Sequence, residues 1–186
     1  MTKTAKTVGP EAVSAFWFEQ LEPKAWFEKN ESVDREIAER FAATHLALAA
    51  HVPPARRESA EAVLALIIVF DQFPRNIYRD TPLAFATDGL GLREAVVAVE
   101  TGLDRQVDKA CRPFFYMPFE HSERMEDQDR SVALFTALGK AEFLDYANRH
   151  RDVIAEFGRF PHRNPILGRE STPAELTYLA KPGAGF

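Results

Sequence analysis

Nine apolar residues in succession, 62–70 (AVLALIIVF), stop abruptly at Asp71, and the next eight positions hold Gln72, Phe73, Pro74, Arg75, Asn76 and Arg79. A run with no polar face has to be enclosed by other elements. It also carries Asp71 to the rim of the core, where a bare carboxylate is costly unless paired. The β-branched trio Ile67, Ile68 and Val69 would suit a buried strand. The run is long and Ala-rich, however, and no second strand of similar quality exists to pair with it. Residues 55–72 therefore read as a central helix, and the rest of the chain has to wrap it.

The flanking patterns supply the wrapping. Pro10 suits a first helical turn, and Val13, Phe16, Trp17 and Leu21 recur at helical spacing, so 10–21 reads as a short amphipathic helix. Pro23 ends it, with Trp26 and Phe27 expected as core plugs in the turn. Val33, Ile37, Phe41, His45 and Leu48 define a helix over 32–50, and Pro53-Pro54 breaks it. Thr81-Pro82 marks a new start, and Leu92, Val96, Val99 and Leu103 continue a face up to Gly102. The stretch 112–123 (RPFFYMPFEHSE), with two prolines and four aromatics, reads as ordered, packed and irregular. Val132, Phe135, Leu138, Phe143 and Ala147 predict one long helix over 126–149, with further turns to Gly158. Thr172-Pro173-Ala174-Glu175 is a capping box opening a last short helix.

The expected architecture is all-α, a tetratricopeptide-like helical-repeat bundle of about seven to nine helices. Residues 1–8 read as a disordered lead, 9–181 as a single domain and 182–186 as a frayed tail. The single cysteine, Cys111, excludes an internal disulfide and a cysteine-rich zinc site. A net charge of −5 argues against a general nucleic-acid binder. No apolar run is long enough for a membrane span, and the start lacks the apolar core of a secretion signal. The expected setting is the cytoplasm. Arg outnumbers Lys sixteen to seven, a bias towards forked, bidentate pairing.

The junction at Asp71 has an echo. Phe70-Asp71-Gln72-Phe73-Pro74-Arg75-Asn76-Ile77 resembles Phe157-Gly158-Arg159-Phe160-Pro161-His162-Arg163-Asn164-Pro165-Ile166. An arginine follows each (Arg79, Arg169), then Thr-Pro (Thr81-Pro82, Thr172-Pro173), and the offset grows from 87 to 91 residues. In one physical reading Phe-Pro stops each helix and Arg-Asn satisfies the freed carbonyls. Duplication and convergence on a good turn account for it equally well.

LALIIVFDQFPRNIYRDTPLAFATD, PFEHSE and FGRFPHRNPILGRESTPAE, taken in order, resemble the bacterial domain-of-unknown-function family 924. The likeness runs from Phe16-Trp17-Phe18 to Leu179. It implies an all-α fold related to tetratricopeptide-like repeats and no established activity.

The candidate site residues sit in these motifs. Asp71 can pair with Arg75, or with Arg159, Arg163 or Arg169 if the two junctions are neighbours. The plain reading is a structural ion network, and the sharper one is an anion pocket. His121, between Glu120 and Glu123, has the setting of an acid or base near neutral pH, although both carboxylates also suit a helix start. His150 and His162, with His121, Glu123 and Asp71, offer oxygen and nitrogen ligands, but no pair has i, i+4 spacing, so no metal and no cofactor is assigned. His45 and His51 read as surface or core-edge residues. Phe114, Phe115, Tyr116 and Phe119 would wall a pocket or, more plainly, fill the core. Cys111 reads as inert.

The reading carried forward is a small anionic ligand, a carboxylate or phosphate, held where the two Phe-Pro junctions and the Phe-Glu-His segment converge. Arg75, Asn76, Tyr116, Glu120, Arg159, His162, Arg163 and Arg169 would bind it. Any catalysis there would be hydrolytic, with His121, Glu123 and Asp71 as the acid–base groups. The alternative is a helical-repeat module for a protein partner, with the charged motifs purely structural.

Overall fold

The computed structural model describes residues 7–185, all of whose regular structure is helical. Within the expected lead, residues 1–6 lie outside the described part, whereas the Val8 N–H donates to Thr44 Oγ1 at 3.0 Å. The chain divides into two units: Met1–Arg79 with Leu83–Pro118, and Asp80–Pro82 with Phe119–Phe186. No described helix is long and apolar enough to cross a membrane.

In the first unit, α1 (Pro10–Ser14) runs on through a π-helical stretch, Ala15–Gln20. Trp26 does turn inward: its indole N–H donates to the Trp17 carbonyl at 2.7 Å. Phe27, expected as a core plug, is instead 61% exposed, because the short 3-10 turn Pro23–Trp26 leaves it on the outer side. Helix α2 (Glu31–Ala50) is capped by Asn30, whose side chain accepts the Ser32 and Val33 N–H groups. It buries Ile37, Phe41, His45 and Leu48. A 3-10 turn, Pro54–Arg57, precedes α3 (Ala60–Ile67), so the central helix begins at Ala60 rather than residue 55, with Ser59 as its cap. From residue 62 to residue 74 every side chain is buried. Around it the rings of Phe16, Phe41 and Phe73 form a chain, with centroids 5.1 and 4.6 Å apart.

Pro74 does not stop this helix. α3 passes through a π-helical stretch, Ile68–Gln72, directly into α4 (Phe73–Ile77). A proline has no N–H to give the carbonyl four residues back, so Phe70 O would be orphaned in the core. Thr87 Oγ1 donates to it at 2.7 Å, and the Arg75 guanidinium caps the next carbonyl, Asp71 O. With its hydrogen committed, Thr87 Oγ1 must accept from His45 Nε2 at 3.1 Å, which assigns His45 as the Nε2–H tautomer with the Tyr78 hydroxyl at Nδ1. His45 is therefore a core residue, and burial holds its pKa below the ordinary histidine value. Thr87→Val should cost about 2 kcal/mol, because it strands both the Phe70 carbonyl and the His45 N–H. Urea denaturation would measure it, and an unchanged midpoint would mean water covers that carbonyl.

Helix α5 (Asp88–Thr101) ends on Gly102 at φ 75°. The aromatic stretch expected to be irregular is α6 (Pro113–Glu120), a helix that carries Pro118 inside it. In the second unit the single long helix expected over 126–149 is two. Helix α7 (Met125–Leu138) stops at Gly139, whose φ of 72° suits a residue without a β-carbon, and α8 (Ala141–Phe157) starts after Lys140. Phe135 stacks on Phe143 at 5.8 Å and Arg151 pairs with Asp129, so the two run antiparallel as a hairpin. Helix α8 ends on Gly158, and there the second Phe-Pro copy does stop a helix: Phe160 is extended and Pro161–Arg163 is a 3-10 turn. The two echoing motifs thus adopt different backbones. The Thr-Pro starts differ as well, a 3-10 turn at Pro82–Phe85 against the capped helix α9 (Pro173–Leu179).

Candidate functional site

In the first unit the motif residues close on one another. Arg75 reaches Asp88 with both terminal nitrogens, at 3.0 and 3.1 Å, and lies 3.7 Å from Asp71 Oδ1. Asp71 is fully buried, and its Oδ2 accepts from Gln72 Nε2 at 2.6 Å. Asn76 and Arg79 both hold Asp34, Arg79 through a fork at 2.7 and 2.7 Å. The buried Tyr116 hydroxyl donates to Asp104 Oδ2 at 2.7 Å, and burial followed by that bond pushes the phenol pKa up. Phe114, Phe115 and Tyr116 fill the core. This arrangement has the character of an ion network that fixes helix ends.

In the second unit two of the three motif segments, 120–123 and 157–169, come together. Glu123 accepts a forked pair from Arg169, at 2.8 and 2.9 Å, and the Phe160 N–H at 2.8 Å. Arg169 also donates to the Phe160 carbonyl. Burial alone would raise the Glu123 pKa, but Arg169, the Phe160 N–H and nearby Arg163 outweigh it and hold the carboxyl low. A carboxylate held ionised by three donors is a weak proton acceptor, so Glu123 serves this turn as an anchor.

A buried carboxylate–imidazole pair lies one turn away. Glu120 and His150 are both buried, and His150 Nδ1 lies 2.8 Å from Glu120 Oε1 and 2.9 Å from Tyr146 O. Both neighbours are acceptors, so Nδ1 carries a hydrogen and Nε2 is the ring's other end. The rings of His121 and Phe160 lie 6.3 and 5.5 Å from the His150 ring. Gln128 braces the turn by donating to the carbonyls of Glu120 and Ser122 at 2.7 and 2.6 Å. His162 packs on Phe160 from its other neighbour position, at 5.7 Å, and the Arg163 guanidinium lies 4.4 Å over the same ring. Burial, then Arg163, His150 and Arg169, push the His162 pKa down to about 4, and Glu123 alone opposes them.

Arg159 turns to a different partner. Its fork meets Glu175 at 2.6 and 2.8 Å, and Glu175 Oε2 also accepts from the Thr172 N–H at 2.7 Å and Asn164 Nδ2 at 3.3 Å. Glu175 was legible in the sequence only as the fourth member of a capping box. The roles of His150, Gln128 and Asn164 left no sequence signal, because the partners Glu120, Ser122 and Ser171 lie six or more positions away. Among the described residues no group of three or more His, Cys, Asp or Glu is arranged to hold a metal ion.

Fold and site together define an all-α protein whose charged motifs are ion-paired within each unit, with His121, His150 and His162 close together in the second. The family model described as bacterial protein of unknown function, domain-of-unknown-function family 924, matches residues 13–183, and the chain belongs to that family. A solved structure of a protein of unknown function from Agrobacterium tumefaciens is similar to it, with a TM-score of 0.87 and 41% identity over 92% of this chain and 96% of that one. None of the curated proteins matches the sequence.

Proposed function

We propose that the second unit binds a small anion, a carboxylate or phosphate group, at the turn formed by Phe160, His162 and Arg163 beside His121 and His150. The observation that carries this reading is the local charge balance. Two guanidinium groups stand at this turn, Arg163 4.4 Å over the Phe160 ring and Arg169 forked on Glu123, against the one carboxylate of Glu123. A surplus of fixed positive charge raises the local potential in favour of an anion. Arg163 supplies the forked donor, and the Glu120–His150 pair is the carboxylate-oriented imidazole that a hydrolytic step would use. The first-unit residues Asp71, Arg75, Asn76 and Tyr116 take the structural role in this reading. The cytoplasmic setting expected from the sequence is kept as part of this proposal.

The test is binding of inorganic phosphate and acetate, followed by thermal melting and calorimetry at constant ionic strength. Ligand at 100 times Kd should stabilise by roughly 2.7 kcal/mol, raising Tm by about 5–10 °C for a chain of this size. An anion beside His162 raises its pKa from about 4, so binding near pH 5 should take up a proton fraction that binding at pH 8 does not. No melting shift with either anion at millimolar concentration would remove the proposal.

A second reading is a module for a protein partner, in keeping with the tetratricopeptide-like kinship that the sequence resemblance implies. It draws on the internal pairing of Arg57, Arg75, Arg79, Arg159 and Arg169 with carboxylates. It expects a stoichiometric partner and indifference to phosphate.

A further inference from the structure

The geometry points to residues 181–185 as a strap that closes over His162 and has to swing aside to admit a ligand to the histidine cluster. The significance of this gate rests on the anion-site reading above, whereas the closure itself does not. Helix α9 ends at Leu179, and the chain then turns back, with the Ala184 N–H bonded to the Lys181 carbonyl at 3.2 Å. This return brings Gly185 against the imidazole. A β-carbon built on Gly185 would lie 3.3 Å from His162 Cβ and 3.6 Å from its Cγ. Its φ of 89° and that of Gly183, 74°, belong to the left-handed region, so glycines make the return possible.

The strap is lightly fastened. Arg149 donates to the Gly183 carbonyl at 3.4 Å, and the Gly185 N–H reaches the Tyr178 hydroxyl at 3.5 Å. Both lie at the long end of the hydrogen-bond range. Residues 181–184 of the strap, with Arg149, Asp152, Val153, Glu156 and Tyr178, line an open concavity of about 350 Å³, so one side of the segment faces open space. Few buried contacts, long bonds and left-handed glycines are the marks of a segment that opens at low cost. The turn that carries His162 is held, in contrast, by the short pair of Glu123 with Arg169, and the neighbouring His150 by Glu120.

Carbethoxylation by diethyl pyrocarbonate, read by peptide mapping at pH 6 without any ligand, tests the closure. In a chain ending at Ala180, His162 should react roughly tenfold faster than in the full chain, the closed-state protection that two marginal hydrogen bonds provide. Exposed His51 should react equally in both, and buried His45 should stay slow in both. Equal His162 rates in the two chains would overturn the strap. If the shortened chain labels His45 as fast as His51, it has unfolded, and Tyr178→Phe, which removes only the hydroxyl latch, then decides by the same criterion: a faster His162 supports the strap and an unchanged one overturns it. Phosphate binding is measured separately, so a strap without an anion and an anion site without a strap give different results.

Discussion

Asp71→Asn is expected to destabilise the protein by about 3 kcal/mol, the usual cost of breaking a buried pair from one side. The carboxylate is fully buried at the end of the apolar run, and Arg75 is the cation beside it, 3.7 Å from Oδ1. Asparagine keeps the shape and one acceptor but removes the charge that offsets Arg75 and places an amide N–H₂ where an acceptor stood. For a domain of this length that cost corresponds to a fall of about 6–12 °C in Tm. Asp88→Asn is the informative comparison. Asp88 makes the shorter bonds to Arg75, yet it is 20% exposed, and partly solvated pairs are worth about 1 kcal/mol or less. If calorimetry ranks Asp88→Asn above Asp71→Asn, distance rather than burial governs this network.

How much of this was legible in the chain depends on where the partner of each signal lies. Signals whose partner is three or four residues away were readable: the capping box at Thr172 and Glu175, and the α2 periodicity. Pro74 was legible as a missing N–H but not as a continued helix. Whether such a helix stops depends on a donor for Phe70 O, and that donor, Thr87, comes seventeen residues later. The break at Gly139 was hidden because Phe135, Leu138, Phe143 and Ala147 keep a nearly helical spacing across it. The five-residue step from Leu138 to Phe143 was the one clue that two helices met there.

The site follows the same rule. The motifs that collect arginine, histidine and carboxylate marked where charge would concentrate. They could not say which arginine takes which acid. Glu123 and Arg169 are 46 residues apart and Glu120 and His150 thirty, and only the turn at Gly158 and the α7–α8 hairpin bring them together. Arg159 and Arg169, both read as ligand-binding, have the short carboxylate partners Glu175 and Glu123.

Glu175→Ala should be the most damaging change in the second unit, roughly 3 kcal/mol or more by the same buried-pair argument. The side chain is almost wholly enclosed and takes two bonds from Arg159, one from the Thr172 N–H and one from Asn164. Thr172→Ala removes only the other half of the capping box, and should cost roughly 1 kcal/mol. The gap between the two variants therefore measures what Arg159 and Asn164 add beyond a helix cap. Acid provides an independent check. The Arg159 bonds lead in holding the Glu175 pKa at about 2, against an ordinary value of 4.5. A carboxyl whose pKa is depressed on folding contributes stability that is complete above the unfolded value and drains away as pH falls towards the folded one. The wild-type protein should thus lose stability between about pH 4.5 and pH 2, with Glu175→Gln, already lacking the charge, losing less over that window. Parallel acid profiles for the two proteins would mean that Arg159 and Glu175 meet without energetic consequence, and Glu175→Ala should then cost no more than the lost cap.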